Sequence, residues 1–282
     1  MGKGTISMIA RETLLKENRT ALYVCNHSGG KDSQAMFKWL YDHVPHHQLI
    51  VVHAHLPEVE WEETIDHIHK TTLGIPVHIV QANKTFFEMV DRRGMWPSPK
   101  FRQCTSDLKT APISKFIRHY CKAHNYDLVF NCIGLRASES HTRAKQPPIK
   151  PNKKLTCSYR TVINVLPIHD YQLKTVFETY GITLEELQRR RSLYRLGNKQ
   201  EALNNWPFVW TYVAGMSRHS CKICIMSNRS DLNCSASIDP ENFDRYIDKE
   251  TAIDHAFINP KKSTPTLQQI RKALPQKQEV LW

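Results

Sequence analysis

Five short apolar runs punctuate the first 168 residues: ALYVCNH, LIVVHAH, PVHIVQA, DLVFNCIG and TVINVLPI. Segments with helical character lie between them. A helix is expected from about Lys31 to Tyr41. PEVEWEETIDHIHKT (57–71) opens on a proline, carries acids in its first turn and sets Ile65 and Ile68 on one face. SDLKTAPISKFIRHYCKAH (106–124) has Pro112 as a new start or a kink. YQLKTVFETYG (171–181) closes on Gly181. Alternation of strand and helix at this pitch predicts a mainly parallel sheet of five strands, wound with helices on both faces. After Gly181 the pattern changes to helical pieces around a cysteine cluster. A boundary is therefore expected near Ile182, between a ligand-binding domain (1–181) and a helical C-terminal segment (182–282).

In such a sheet, ligands bind beyond the carboxyl ends of the strands. The turn after the first strand reads SGGKDS, from Ser28 to Ser33. Glycines let a backbone approach an anion, amides at a helix start bind it, Lys31 adds a point charge, and Ser28 and Ser33 add hydroxyls. The turn is expected to hold a phosphate or pyrophosphate through Ser28, Gly29, Gly30, Lys31, Asp32 and Ser33. It is not a Walker loop: Cys25 stands where that motif needs glycine, and Asp32 follows the lysine. No G-x-G-x-x-G occurs either. The fourth strand runs into GLRASESHTR, where Arg136 and Arg143 are candidates to grip phosphate, and Glu139 to orient one of them or to hold Mg²⁺. His53 and His55 end the second strand as candidate nucleotide contacts.

The chain has 282 residues, a formal charge of +12 and eight cysteines. The charge suggests a polyanionic partner. Arg143, Lys145, Lys150, Lys153, Lys154 and Arg160 fall in an acid-free stretch, and QRRRSLYRLGNK (188–199) is a second. The first eighteen residues lack an apolar core and do not read as a secretory signal. No run approaches the roughly 18 apolar residues of a membrane helix. A cytoplasmic protein without a membrane partner is expected, and its cysteines then point to metal or catalysis rather than to disulfides. Cys25, Cys121 and Cys132 read as buried small hydrophobes. Cys221 and Cys224 form a C-x-x-C, with His219 before it and Cys234 after it. Taken alone, this pattern fits structural zinc, an iron–sulfur cluster or a redox pair.

SGGKDS after a first strand resembles the PP-loop of the N-type ATP pyrophosphatases. VVHAHLPEVEWEET, FRQCTSDLKTAPISKFI and GLRASESHTRAK resemble, in that order, segments of the phosphoadenosine-phosphosulfate-reductase-like branch, over roughly residues 20 to 235. The resemblance implies an adenine nucleotide alpha-hydrolase-like fold and cleavage of ATP to AMP and pyrophosphate, with Lys31, Asp32 and Arg136 catalytic and Mg²⁺ bound. The branch holds sulfonucleotide reductases and the ATP-pyrophosphatase subunit of bacterial DNA phosphorothioation systems. This chain departs from the reductases: its last 48 residues contain no cysteine, and QCTS stands where cluster-bearing reductases have paired cysteines. The phosphorothioation type is the better match, with tRNA thiolation as another sulfur-insertion route. The resemblance also implies a [4Fe–4S] cluster on Cys104, Cys221 and Cys224, with Cys234 or an open iron as the fourth position and zinc as the alternative. The partners it implies are DNA, a cysteine desulfurase as sulfur donor, and other modification subunits.

Overall fold

A computed structural model describes residues 11–14, 21–258 and 265–274. Most of the N-terminal stretch read for a leader lies outside the described residues. Six strands form one sheet: β1 (Ala21–Asn26), β2 (Leu49–Ala54), β3 (Val77–Val80), β4 (Leu128–Ile133), β5 (Ile149–Pro151) and β6 (Thr161–Val165), in the order 3-2-1-4-6-5. All neighbours run parallel except β5, which pairs antiparallel with β6. The expected five-stranded sheet is thus corrected to six. The missed strand has only three residues, and Pro147 and Pro148 precede it while Pro151 ends it. Such a segment has no period to read, and proline is tolerated there because β5 is an edge.

The central strands bury both faces, which is why they read as unbroken apolar runs. Tyr23, Cys25 and Val51 point into one core with Met36, Phe37 and Leu40 of helix α1 (Lys31–His43). Leu22, Val24, Ile50 and Val52 point into the other, against Ile117 and Cys121 of a later helix, Ala111–His124. The period of two along each strand thus feeds helices on opposite sides.

The helix expected over 57–71 is shortened to α2 (Thr64–Thr71). Residues 57–63 instead form turns: the Glu60 amide donates to the Leu56 carbonyl at 3.1 Å, and Glu58 takes a left-handed φ of 72°. After α3 (Phe86–Arg93) a single turn, Gln103–Thr105, carries Cys104 and runs through a π-helical turn (Ser106–Thr110) into α4 (Ala111–His124). Helix α5 (Leu173–Glu178) is followed by a turn to Gly181, whose φ is 71°.

The C-terminal elements include α6 (Leu184–Arg195), α7 (Arg229–Ile238), α8 (Pro240–Ala252) and α9 (Leu267–Ala273). Part of this segment packs on itself, Ile182, Leu187, Phe208, Val209 and Tyr212 clustering with Phe177, and part joins the N-terminal side. Leu56, Val59, Phe86, Trp96 and Leu108 share one apolar cluster with Ile223, Leu232, Phe243, Tyr246 and Ile270. This shared core draws the segment after α6 back across the carboxyl ends of β1 and β2. Among the described residues no helix is long and apolar enough to cross a membrane.

Candidate active site at the carboxyl ends of the strands

Strand order reverses between β1 and β4, so the loops after these strands face each other at a switch point. The SGGKDS loop follows β1. Gly29 adopts φ 76°, and a Cβ there would lie 2.7 Å from the Thr64 methyl. Gly134, after β4, lets that strand end press on the loop: a Cβ would come 3.0 Å from the Asp32 carbonyl oxygen and the Ser33 Cα. Ser33 ties the turn, accepting from the Ser28 amide at 3.1 Å and donating to the Gly30 carbonyl at 2.8 Å.

Gly30 caps α1 without a side chain to offer. The missing acceptor comes from far along the chain: the Tyr212 hydroxyl accepts the Lys31 amide at 2.9 Å and the His219 amide at 3.3 Å. The remaining first-turn amides, those of Asp32 and Ser33, lack intrahelical acceptors and suit an anion. Tyr212→Phe should therefore strand two buried amides. We expect a loss of about 2–4 kcal/mol and a melting temperature lower by roughly 5–10 °C. An unchanged melting curve would show that the hydroxyl is not needed as a cap.

Lys31 is buried, its ammonium 3.1 Å from Asp32 Oδ2 and 5.1 Å from the centre of the Tyr212 ring. Burial pulls its pKa down, but Tyr212 and Asp32 more than offset this and hold it above the ordinary lysine value. Arg136 Nε donates to Asp32 Oδ1 at 2.5 Å, and its backbone amide to Glu139 at 3.1 Å. Glu139 also pairs with Arg143. The structure so joins Lys31, Asp32, Arg136, Glu139 and Arg143 in one chain of charges. Ser28, Gly30, Lys31, Asp32, Ser33, Glu139 and Arg143 line a polar cavity of about 170 Å³, closed from the C-terminal side by Tyr212, Arg218 and His219.

A second cavity, of about 410 Å³, shares Ser28, Ser33, Gly134, Arg143, Arg218 and His219 with the first. Cys104, Cys221 and Cys224 line it together with His53, Glu60 and Lys109. Burial raises the Cys104 thiol, with Cys224 adding to the effect. Burial pushes Cys221 up to about 12, against the lowering pull of Lys109. Lys109 is in turn pulled down by burial but raised overall by Cys221, Glu60, Cys224 and Cys104. Three thiols from two distant segments thus line one cavity with Lys109. Cys234 is placed elsewhere. Its thiol donates to the Ala214 carbonyl at 3.4 Å, and burial takes it to about 11, with Asp231 and Arg191 as its charged neighbours. The expected fourth ligand faces the α6 side because α7 turns it there.

His55 does not line either cavity but turns its Nδ1 onto Glu60 at 2.7 Å. Tyr212, Arg218, His219 and Lys109 complete the cavities without having been marked as nucleotide contacts. For Tyr212, no sequence signal existed, because its role comes from the fold-back. Arg218 and His219 precede the C-x-x-C directly, and that spacing was a usable signal. His219 is buried between Thr64 Oγ1 at 3.1 Å and Thr211 Oγ1 at 3.2 Å, and burial brings its pKa down to about 3. It is a neutral wall residue.

The basic stretches divide. Arg160 is buried, donating to the Leu155 carbonyl, and Arg143 belongs to the cavity. Lys145, Lys150, Lys153 and Lys154 are exposed near the β5 edge. In the second stretch, Arg190 is buried on Glu186 and the Ala202 and Asn204 carbonyls, and Arg191 holds the Tyr212 and Met216 carbonyls. Of this stretch Arg189, Arg195 and Lys199 stay exposed, while Arg190 and Arg191 are turned inward and anchor the fold-back from α6.

A mainly parallel six-stranded sheet with this loop at its switch point is an α/β fold with helices on both faces. Residues 23–197, more than half of the chain, match the phosphoadenosine phosphosulfate reductase domain, and the chain belongs to that family. A curated relative, an uncharacterized protein of Methanocaldococcus jannaschii, is 25% identical over 177 residues, which is 62% of this chain and 30% of that protein's length. The phosphoadenylyl-sulfate reductase of Candida auris, solved as a phosphate complex, is similar with 13% identity and a TM-score of 0.37, over 64% of this chain and 85% of that one. The U34-tRNA thiolase NcsA of Methanococcus maripaludis, solved with its [4Fe–4S] cluster, is similar with 15% identity and a TM-score of 0.42, over 97% and 88%.

Proposed function

We propose that the protein is an ATP pyrophosphatase that adenylates an acceptor for sulfur insertion, in DNA phosphorothioate modification. The observation that carries this reading is that the anion-binding loop and the thiols of Cys104, Cys221 and Cys224 open onto adjoining cavities with shared walls. The family supports sulfur chemistry.

ATP places its β and γ phosphates in the SGGKDS loop. An acceptor oxygen attacks the α-phosphorus, the bond to the bridging oxygen breaks, and pyrophosphate leaves. Lys31, Arg143, Arg218 and the first-turn amides of α1 stabilise the charge that develops on it. Asp32 and Glu139 are the carboxylates that would hold Mg²⁺, and Arg136 fixes Asp32. A sulfur nucleophile, with a cysteine desulfurase as its source, then attacks the acceptor atom that bears the adenylated oxygen, and AMP departs carrying that oxygen. Cys104, Cys221 and Cys224 line one cavity that shares walls with the loop cavity, and they would hold a [4Fe–4S] cluster, which when bound would supply a place for sulfur. The exposed lysines by β5 offer DNA its phosphate contacts.

Anaerobically purified protein should contain iron and acid-labile sulfide and release pyrophosphate from ATP. Sulfite release from a sulfonucleotide, with no pyrophosphate from ATP, would replace this reading with a reductase. Arg218 is half-buried, lines both cavities and has no carboxylate partner among the described residues. Arg218→Ala should lower kcat/KM for pyrophosphate release by about 10- to 100-fold, the range of one charge-assisted hydrogen bond. Steady-state kinetics within a factor of about two would take Arg218 out of the phosphate site.

A further inference from the structure

We propose that His53, His55 and Glu60 form a binding site for one divalent transition-metal ion, distinct from the three cysteines. His53 Nε2 lies 2.9 Å from Glu60 Oε1, and His55 Nδ1 lies 2.7 Å from Glu60 Oε2. Donor atoms of all three residues lie within 4.8 Å of one another. That is close to the span of a single ion with bonds of about 2.0–2.2 Å. Two imidazoles and a carboxylate suit the borderline cations, zinc and ferrous iron among them.

The tautomer of His53 strengthens the case. Its Nδ1 lies 2.8 Å from the His27 carbonyl, which can only accept, so Nδ1 carries the proton. In the neutral ring Nε2 is then a lone pair. It is buried, it has no hydrogen-bond partner, and the atom it faces is a carboxylate oxygen. Two lone-pair bearers at this separation need a proton or a metal cation between them, and a second imidazole on the same carboxylate makes the set that of a metal ion. A backbone carbonyl holding the far nitrogen is also how metal-binding histidines are commonly oriented.

The backbone around Glu60 is bent to bring the carboxylate there. Glu58 accepts a left-handed φ of 72°, the Leu56–Glu60 turn replaces the expected helix, and the Lys222 amide clamps the Val59 carbonyl at 2.7 Å. Strain of this kind in a residue other than glycine persists where the surroundings impose it. His53 and Glu60 line the cavity that also holds the thiols, so the ion would stand at its β2 wall, beside the route to the loop.

The test is metal uptake, and its result is independent of whether the protein cleaves ATP. Chelator-treated Cys104→Ser/Cys221→Ser/Cys224→Ser protein is titrated with Co²⁺. We expect one equivalent bound, with visible ligand-field bands and no thiolate charge-transfer band. His55→Ala and Glu60→Gln in that background should weaken binding by at least about tenfold. His55 is half-exposed and Glu60→Gln is isosteric, so both should fold, which a melting curve checks. Wild-type protein provides a second reading that needs no cysteine variant: zinc content should fall by one equivalent in His55→Ala and in Glu60→Gln. No uptake by the triple variant, or uptake and zinc content indifferent to both substitutions, would mean that a proton alone joins His53 to Glu60, and the site would be refuted.

Discussion

Lys31→Met should reduce pyrophosphate release by about 10²–10³-fold, the loss that follows removal of one positioned group at a developing charge. Methionine keeps the aliphatic body against the Tyr212 ring, where the lysine sits almost fully buried. Asp32 keeps its bond to Arg136, so no carboxylate is left without a partner. The Tyr212 hydroxyl still accepts the residue's backbone amide. The fold should therefore survive, with a melting temperature within a few degrees of wild type. Turnover close to wild type in a sample that melts normally would remove the loop from the mechanism. Loss of turnover together with loss of the melting transition would instead identify Lys31 as a structural residue.

Single serine substitutions at Cys104, Cys221 and Cys224 should each strip most of the iron and sulfide, and sulfur transfer should fall by more than about 100-fold. Pyrophosphate release should persist within a factor of a few, because the loop cavity contains none of these residues. Cys234→Ser should keep its metal, since that thiol is turned onto the Ala214 carbonyl. Metal analysis and a pyrophosphate assay on the same four samples check both halves. Equal metal loss in all four would make Cys234 a ligand reached by movement of α7. Metal retained in the first three would leave the shared cavity as a packing arrangement. Zinc in place of iron would keep the ligand set and change what it does.

Much of this site was legible because its signals are local. SGGKDS carries its expected chemistry within six residues, since glycine freedom, a helix start and a lysine are what an anion-binding turn requires. GLRASESHTR follows a strand in the same way, and Arg136, Glu139 and Arg143 do meet the loop. The alternation of apolar runs carried the parallel sheet, because strands buried on both faces cannot hide their composition. Strand β5 was not legible: an edge of three residues buries too little to leave a pattern.

Side-chain destinations were a different matter. Arg190 and Arg191 stand in a run of like charges that reads as solvated, yet carbonyls of the fold-back hold them. Cys234 lies ten residues beyond Cys224 and reads as its companion, but helix α7 carries it to the far side. Glu60 belongs to a sequence with helical acids and proline, yet a left-handed Glu58 curls it onto His53 and His55.

Local composition and spacing thus determined the five parallel strands, the loop and the charged turn facing it, because each depends on neighbours within one strand–turn–helix unit. The closing of the site was decided only in three dimensions. Tyr212 reaches Lys31 across 181 positions, and Cys221 and Cys224 reach the cavity of Cys104, because one apolar cluster joins residues 56–108 to 223–270. The apolar area that cluster buries is non-directional in its drive. Which polar groups it brings face to face depends on the packed geometry, and no window of sequence contains that.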